Sequence, residues 1–211
     1  MGKEPHSHTE KRGRLSGKER RAFILQSAKR VFARSTYLEA SVGELARESE
    51  ITEPMLYKHF GSKKGLYLAV LEACSQQYLE LLRKRIADRA QKNVLDALEQ
   101  VTQDCLAIVR SDPEIQRVLF SSVSEAADPE IARCIGIHNR AVYNCFHQLI
   151  ERAQAEGCLE YTINTDAATW GYLSMMLAFQ YALILNLSTE IERNWGEMGR
   201  TWLRGLRTRD T

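Results

Sequence analysis

The stretch from residue 41 to residue 60 restricts the fold of this chain more than any other. It reads SVGELARESEITEPMLYKHF and carries two signals for the start of a helix. Ser41 followed by Glu44 predicts a capping box, in which each side chain satisfies a backbone N–H of the first turn. Thr52 predicts the N-cap of a second helix, and Pro54 costs that helix no hydrogen bond because first-turn N–H groups have no helical partner. We therefore expect two short helices joined by a tight turn.

The second of these helices should present a mixed face to the outside. About 100° per residue places Leu56 and Phe60 on its inner side. The residues of the outer side are Pro54, Met55, Tyr57 and Lys58, with His59 at the flank. A surface row that mixes basic, aromatic and apolar groups suits the major groove of DNA.

Two lysines follow in an unusual place. Gly61 can end the second helix and Ser62 can cap a third, so Lys63 and Lys64 fall in the first turn of that third helix. The helix dipole disfavours cations there. An anion between the lysines and the free N–H groups would relieve this conflict, and the sequence predicts that DNA phosphate is that anion.

These segments resemble the TetR-type bacterial transcriptional regulators over residues 20–71. The resemblance is carried by FILQSAKRVFA, SVGELARESEIT and EPMLYKHFGSKKGLYLAV. Thr36 and Glu50 depart from the pattern, since the family commonly has glycine at both positions. A left-handed backbone at Glu50 would cost roughly 1 kcal/mol, so we expect a slightly remodelled turn.

The resemblance implies a role in DNA binding for eight residues. It places Thr52, Tyr57, His59 and Lys63 on phosphates, and Pro54, Met55 and Lys58 nearer base edges. Ser41 completes the predicted interface. Phosphate contacts hold the register of a protein on the duplex, whereas base contacts specify the sequence.

Charged residues are distributed unevenly along the chain. Residues 1–65 carry 14 Lys and Arg against 8 Asp and Glu, whereas residues 66–211 carry 15 against 19. A basic first third suits a nucleic-acid module joined to something else. We predict a disordered basic arm at 1–15, a DNA-binding domain at 16–65, and an effector-binding and dimerisation domain at 66–211. Lys11, Arg12 and Arg14 of the arm could add phosphate contacts or be part of a solvated tail.

The remainder of the chain shows helical patterns and no sustained alternation of apolar and polar residues. We expect helices at about 62–90, 93–110, 113–126, 129–156, 165–187 and 190–207, which with three in the first domain gives about nine. Asp112-Pro113 and Asp128-Pro129 each predict a helix start, with Asp as the cap and Pro at the first position. The predicted fold class is all-α, with a three-helix helix-turn-helix domain followed by a helical ligand-binding and dimerisation domain.

The run from residue 167 to residue 189 contains no charged residue and is long enough to span a bilayer. Polar residues dilute it, and an amphipathic, arginine-bearing segment follows. A helix that is apolar on nearly all sides can instead be packed by protein on both sides. The resemblance implies a homodimer through the last two helices, which would bury this run, and we favour that over a membrane anchor.

The resemblance also implies an effector cavity among the middle helices, so the partners are operator DNA, a second copy and a small molecule. The predicted lining of this cavity consists mostly of aromatic side chains and the flexible apolar side chain of methionine. Polar groups such as Arg140 and Gln180 could hold one end of a largely apolar ligand. The predicted lining residues are Tyr78, Phe120, Tyr143, Phe146, His147, Trp170 and Met176.

Other chemistries find little support. The five cysteines form no CxxC pair, and Cys134 with His138 would need further ligands to bind a metal. No nucleophile elbow, P-loop or HExxH pattern is present, so we predict neither an enzyme nor a cofactor.

The sequence therefore predicts a cytoplasmic, homodimeric transcriptional regulator that responds to a ligand. A repressor released from its operator by an apolar effector is the favoured function. A transcriptional activator of the same fold is the alternative, and a membrane-anchored protein or an enzyme is disfavoured.

Overall fold

The computed structural model describes residues 16–185 and 187–207, in which helices are joined by short loops and one isolated antiparallel β-bridge links Leu159 and Arg207. Its α-helices are α1 (Gly17–Arg34), α2 (Val42–Glu48), α3 (Glu53–Phe60), α4 (Lys63–Ala90), α5 (Val94–Ser111), α6 (Pro113–Ser121), α7 (Pro129–Ala155), α8 (Thr165–Ile184) and α9 (Ser188–Arg204). The all-α prediction is confirmed. The expected basic arm at 1–15, with Lys11, Arg12 and Arg14, lies outside the described residues.

Local capping sets most of these boundaries. Ser16 and Glu19 form a complete capping box on α1, and Asn93 accepts hydrogen bonds from two backbone N–H groups of α5. Gly157 follows α7 at φ 74°, a left-handed conformation that glycine adopts at little cost. The sixth helix is shorter than expected, because Ser122–Glu125 tightens into a 3₁₀ turn.

We call α1–α3 the head and α4–α9 the body. One buried cluster runs through both, from Ile24 and Leu56 in the head to Phe146 and Tyr172 in the body. The predicted division at residue 65 falls in the first turn of α4, a helix that continues without a break to residue 90. The head is thus packed directly on the body.

Two smaller clusters complete the body. Leu98, Ile150 and Leu203 belong to a cluster shared by α5, α7 and α9. Phe179 and Trp195 pack at 4.9 Å between ring centroids, and the Trp195 indole N–H donates to the Thr102 carbonyl at 2.8 Å. These contacts fix α9 against α5 and leave one face of α8 exposed.

Candidate nucleic-acid interface

Helix α3 lies with one side in the core and the other in solvent. Leu56 is fully buried, and Phe60 is partly buried against the same cluster. Both were predicted to face inward. On the opposite side Pro54, Tyr57 and Lys58 are exposed, while Met55 and His59 are half-buried. The predicted outer row is therefore accessible along the whole length of the helix.

The caps of α2 and α3 differ in part from the sequence prediction. The Ser41 hydroxyl accepts a hydrogen bond from the Glu44 N–H at 3.1 Å, as expected. The Glu44 carboxylate does not complete the box, because it accepts a hydrogen bond from Arg34 of α1 instead. Thr52 stands at the N-cap of α3, but its side chain makes no capping hydrogen bond. The exposed Thr52 hydroxyl is thus available for another partner.

The turn between α2 and α3 keeps its tight form. Glu50 has φ 52°, the left-handed conformation that glycine adopts easily and glutamate does not. The Ile51 N–H donates to the Ala46 carbonyl at 3.0 Å and closes the turn. The expectation of a remodelled turn is wrong, because Glu50 adopts the left-handed conformation itself and the turn between α2 and α3 stays tight.

At the other position that departs from the family pattern, Thr36 makes a local hydrogen-bonded box. Its backbone N–H and its hydroxyl both donate to the Glu39 carboxylate, and the Glu39 N–H donates back to the hydroxyl. This box holds the segment between α1 and α2 without a glycine.

Arg21 of α1 holds the carboxyl end of α3. Its guanidinium carbon lies 4.4 Å from the centre of the Phe60 ring, and its Nη1 donates to the His59 carbonyl at 3.3 Å. A cation at the last turn of a helix also suits the helix dipole. No sequence pattern indicates this contact, because the partners are 38 positions apart and meet only when α1 packs against α3.

The two lysines at the start of α4 have protein partners. Lys63 donates to the Leu38 carbonyl at 3.3 Å and lies 4.7 Å from the centre of the Tyr37 ring, and partial burial lowers its pKa. Lys64 instead pairs with Asp128, at 3.2 Å, and with Glu130. Protein carboxylates therefore supply the anion that the sequence predicted beside Lys64, and a DNA phosphate is not needed there. The placement of Lys63 on a phosphate stays a prediction.

The predicted effector residues fall into separate groups in the body. Tyr78 and Phe146 are buried, and Phe146 packs on Tyr172 at 4.4 Å between ring centroids. The Tyr172 hydroxyl lies 3.9 Å from the Cys105 sulfur. Burial raises the pKa of Cys105 to about 12, so its thiol stays protonated at neutral pH. This group is apolar, with two tyrosine hydroxyls inside it.

A second group lies where α7 meets the start of α8. The rings of His147 and Trp170 each lie 5.5 Å from that of Tyr143. The Tyr143 hydroxyl donates to Asp166, and His147 lies between the carboxylates of Asp166 and Glu151. Trp170 is 59% exposed, so this group lies at the surface of the single chain.

The remaining candidates are dispersed. Phe120 and Met176 are half-buried, Gln180 is buried, and Arg140 is exposed beside Tyr143. Two grooves on the body are lined by other residues. One, of about 590 Å³, lies between α4 and α5 beside Arg85, Arg89 and Asp104. The other, of about 560 Å³, lies beside Met175, Met198 and Trp202 of α8 and α9.

Metal binding and membrane anchoring are two of the functions that the sequence disfavours. Within 16–185 and 187–207, no three His, Cys, Asp or Glu side chains converge as metal ligands. His138 bonds the Ser75 hydroxyl through Nδ1 at 2.9 Å. None of the helices in these ranges combines the length and hydropathy that a membrane span requires.

Comparison with known proteins settles the family. Residues 24–70, which run from α1 into α4, match the family model for bacterial regulatory proteins of the tetR family. This chain is a TetR-type transcriptional regulator. The TetR match covers the whole of α2 and α3, and with them the exposed outer row.

The likeness of TetR-type proteins to this chain extends into the body. The HTH-type transcriptional activator FasR of Mycolicibacterium smegmatis is 27% identical over 150 residues, which are 71% of this chain and 67% of FasR. The fatty acid degradation regulator FadR from Bacillus halodurans shares the fold with a TM-score of 0.76 at 15% identity, over 93% of this chain and all of that one. A TetR transcription regulator from Haloarcula marismortui also shares the fold, with a TM-score of 0.79 at 14% identity, over 90% of this chain and all of the Haloarcula chain.

Proposed function

We propose that this TetR-type regulator binds operator DNA as a homodimer, and that a small, largely apolar effector releases it. The outer row of α3 carries the proposal. It places one aromatic, one basic and two apolar side chains on an accessible helix face, with a further hydroxyl at Thr52. A helix in the major groove can use such a row to contact both phosphates and base edges.

Within this interface we assign roles by position. Thr52, Tyr57, His59 and Lys63 contact phosphates, with Ser41 at the start of α2 beside them. Pro54, Met55 and Lys58 face the base edges. The Thr52 hydroxyl makes no capping bond, which supports its assignment to a phosphate. Arg21 keeps the end of α3 in place and so supports His59.

The partner of α8 in this proposal is a second copy of the chain. Large apolar side chains are exposed in a helical row, and the helix carries no charge after Asp166. Exposed apolar surface of this extent is typical of an interface between proteins. The exposed members of the row are Trp170, Leu177 and Tyr181, with Leu185 directly after the end of α8. Pairing α8 and α9 with those of a second copy would cover the row and the groove beside Met198 and Trp202.

The effector belongs in the body, among the groups around Tyr78, Phe146 and Tyr143. These aromatic side chains suit an apolar molecule, and His147 or Arg140 could hold a polar end. For a repressor, the liganded state must bind DNA more weakly, and linkage makes DNA weaken ligand binding by the same factor. The name of FadR as a fatty acid degradation regulator makes acyl compounds a reasonable first set of probes.

Activation is the second candidate, because the relative FasR is named a transcriptional activator. The same dimer would serve either function, and the position of the operator relative to the promoter would decide between them. In both cases we propose a cytoplasmic protein without catalytic activity.

Selection of binding sites tests the proposal. The purified protein would be used to enrich duplexes from a randomised library at fixed salt. We expect two related half-sites in inverted orientation, about 10 base pairs apart or a multiple of that. Met55→Ala should change the selected bases within each half-site. A protein that enriches no sequence, or one unpaired half-site, would contradict the proposed dimer on DNA.

A further inference from the structure

The triplet Asp-Pro-Glu occurs twice in this chain, at 112–114 and 128–130. The first begins α6 and the second begins α7. Each Asp is the N-cap of its helix, and each Glu lies one residue after the Pro. The two triplets therefore build the same local structure at two places in the body.

The two aspartates divide their oxygens in the same way. Asp112 accepts a helix N–H at Oδ1 and the Lys29 ammonium at Oδ2, with Nζ···Oδ2 at 2.6 Å. Asp128 accepts two helix N–H groups at Oδ1 and the Lys64 ammonium at Oδ2, at 3.2 Å. One carboxylate in each case both starts a body helix and binds a lysine.

The glutamates of both triplets add a second ion pair to the same lysine. Glu114 lies 3.4 Å from the Lys29 Nζ, and Glu130 pairs with Lys64. We call Lys29 with Asp112 and Glu114 the inner joint, and Lys64 with Asp128 and Glu130 the outer joint. The Lys29 side chain is 5% exposed, whereas that of Lys64 is 36% exposed.

The inner joint connects the head to the body, and the outer joint holds the start of the helix that directly follows the head. Lys29 lies on α1 and reaches α6, while Lys64 lies where the head passes into α4 and reaches α7. A single contact would still allow the head to swivel about it. A second contact at the start of α4, directly after α3, leaves only rotation about the line through both contacts. The buried cluster that the head shares with the body opposes that remaining rotation.

We propose that the inner and outer joints fix the angle of the head on the body, and so determine which spacing between half-sites the dimer accepts. Lys29 and Lys64 are positioning residues in this mechanism, and they act on the orientation of α3 without contacting bases. The inference rests on the proposed function, since spacing has meaning only for a dimer whose two heads bind one duplex.

The joints should contribute unequally. An exposed ion pair resists displacement only weakly because water can replace either partner, whereas separating a buried pair costs more because water is excluded from it. Spacing discrimination is the affinity for the selected half-site spacing divided by the affinity for an altered one. We therefore expect loss of the outer joint to reduce this ratio about threefold to fivefold. Loss of the inner joint should reduce it by about tenfold or more.

The test uses the duplex that the wild-type protein selects, with its centre lengthened or shortened by one or two base pairs. The quantity measured is the affinity for the selected spacing divided by the affinity for each altered spacing. Lys64→Gln should lower this ratio, and Lys64→Arg should keep it. A uniform loss of phosphate attraction cancels in the ratio, so the measurement reports geometry alone.

A matched control breaks an ion pair whose two partners lie in the same turn of the chain, so that it connects no separate helices. Arg152 and Glu156 pair at 2.7 Å within one turn at the end of α7, at similar exposure. Arg152→Gln should leave the ratio unchanged. For the inner joint, Lys29→Met with Asp112→Asn removes both charges together and keeps an Asn cap on α6, so the protein should still fold.

Hydrogen exchange on the DNA-free protein gives a second measurement. In Lys64→Gln, amides in the first turns of α4 and α7 should exchange at least about threefold faster than in Arg152→Gln. A spacing ratio in Lys64→Gln and in the inner double variant equal to that of the wild type would overturn the proposal. If the wild-type protein selects no duplex, the proposed function fails, and unchanged exchange would then overturn the joints as well.

Discussion

The head and the body expose opposite kinds of helix face. In the head, α3 presents an outer row in which Lys58 and the polar rings of Tyr57 and His59 lie beside the apolar Met55. In the body, α8 presents Leu177 and other large apolar side chains and no charge beyond its first turn. Both faces are accessible in the single chain, so the difference lies in the partners that they suit.

The contacts between helices differ less between the two regions than the exposed faces do. Ion pairs link the helices of the head, as where Arg30 and Arg34 of α1 both contact Glu48 of α2. The body has such ion pairs as well, as between Arg89 of α4 and Asp104 of α5. It adds aromatic packing where Tyr172 contacts both Phe146 and Trp202. The exposed faces therefore decide which partners suit the two regions. A partner with fixed negative charge suits the face of α3, whereas a second apolar surface suits the face of α8. Charge content thus distinguishes the face proposed for DNA from the face proposed for a second copy, where burial alone would not.

Introducing a charge on the exposed face of α8 should have the largest effect. Leu177→Asp would place a carboxylate from each chain in the proposed interface, where burial without a partner is costly. We expect the dissociation constant of the dimer to rise by more than about 100-fold, with the affinity for a two-half-site duplex falling accordingly. Sedimentation would then report the 24.1 kDa chain and not twice that mass.

Ala87→Asp on the exposed side of α4 is the control, and it should leave the dimer intact. Ala178 is a second useful position on α8 because it is exposed, whereas Met175 packs against the core and would report on folding. A Leu177→Asp protein that remains dimeric would show that α8 is not the interface.

The interior of the body should make stability sensitive to acid. Burial lowers the pKa of His138 to about 4, below its ordinary value, so the folded protein keeps this ring neutral. Between that pKa and about 6.5 the unfolded chain takes up a proton that the folded chain does not, so stability falls as the pH falls. The loss from this residue between pH 7 and pH 5 should be about 2 kcal/mol.

Denaturant unfolding of wild type and His138→Asn, at both pH values and at one protein concentration, measures this difference. The Asn amide can still bond the Ser75 hydroxyl but takes up no proton. The wild type should therefore lose about 2 kcal/mol more than the variant on acidification. Equal losses would mean that His138 is not held neutral in the folded protein.

The capping signals of the sequence were enough to predict the helices but not their partners. Asp112 and Asp128 mark helix starts by local chemistry alone, and both starts lie where the sequence predicted them. Their second role, binding Lys29 and Lys64, links positions 83 and 64 residues apart. Such pairings depend on how whole helices pack, and a net charge or a helix period carries no information about that. The same holds for the contact of Arg21 with α3.

The candidate site shows the same limit. The burial of the Leu56 side chain and the exposure of the Tyr57 side chain follow from the helical period, and both were predicted. The half-buried position of Lys63 over Tyr37 does not follow from it. Among the effector candidates, periodicity could not separate the buried Phe146 from the exposed Trp170, because both are aromatic residues on helices of the same bundle.

Substitutions in the proposed DNA interface should separate phosphate contacts from base contacts. Lys63→Ala should weaken binding to all sequences and lower the slope of log affinity against log salt by about one unit. Met55→Ala should change the ranking of operator variants and leave that slope unchanged. Titrations of both proteins at several salt concentrations measure the two effects. An unchanged slope in Lys63→Ala would mean that this lysine serves only to hold Tyr37 and the Leu38 carbonyl.

The smallest expected effect concerns the strain at Glu50. Its left-handed backbone, at φ 52°, costs roughly 1 kcal/mol, which glycine would not incur. Glycine also gains freedom in the unfolded chain, which offsets about half of that gain. Glu50→Gly should therefore stabilise the protein by about 0.5 kcal/mol and raise the Tm by about 1–2 °C.

Two controls isolate the backbone effect at this turn. Glu50→Gln removes the charge but keeps the strain, and it should leave the Tm unchanged. Arg47→Gly places a glycine nearby at an exposed helical position of α2, where it should destabilise by about 1 kcal/mol. Opposite signs for the two glycine variants would establish that conformation, and not composition, sets stability at this turn. A loss of stability in Glu50→Gly would mean that the Glu50 side chain contributes more than its backbone costs.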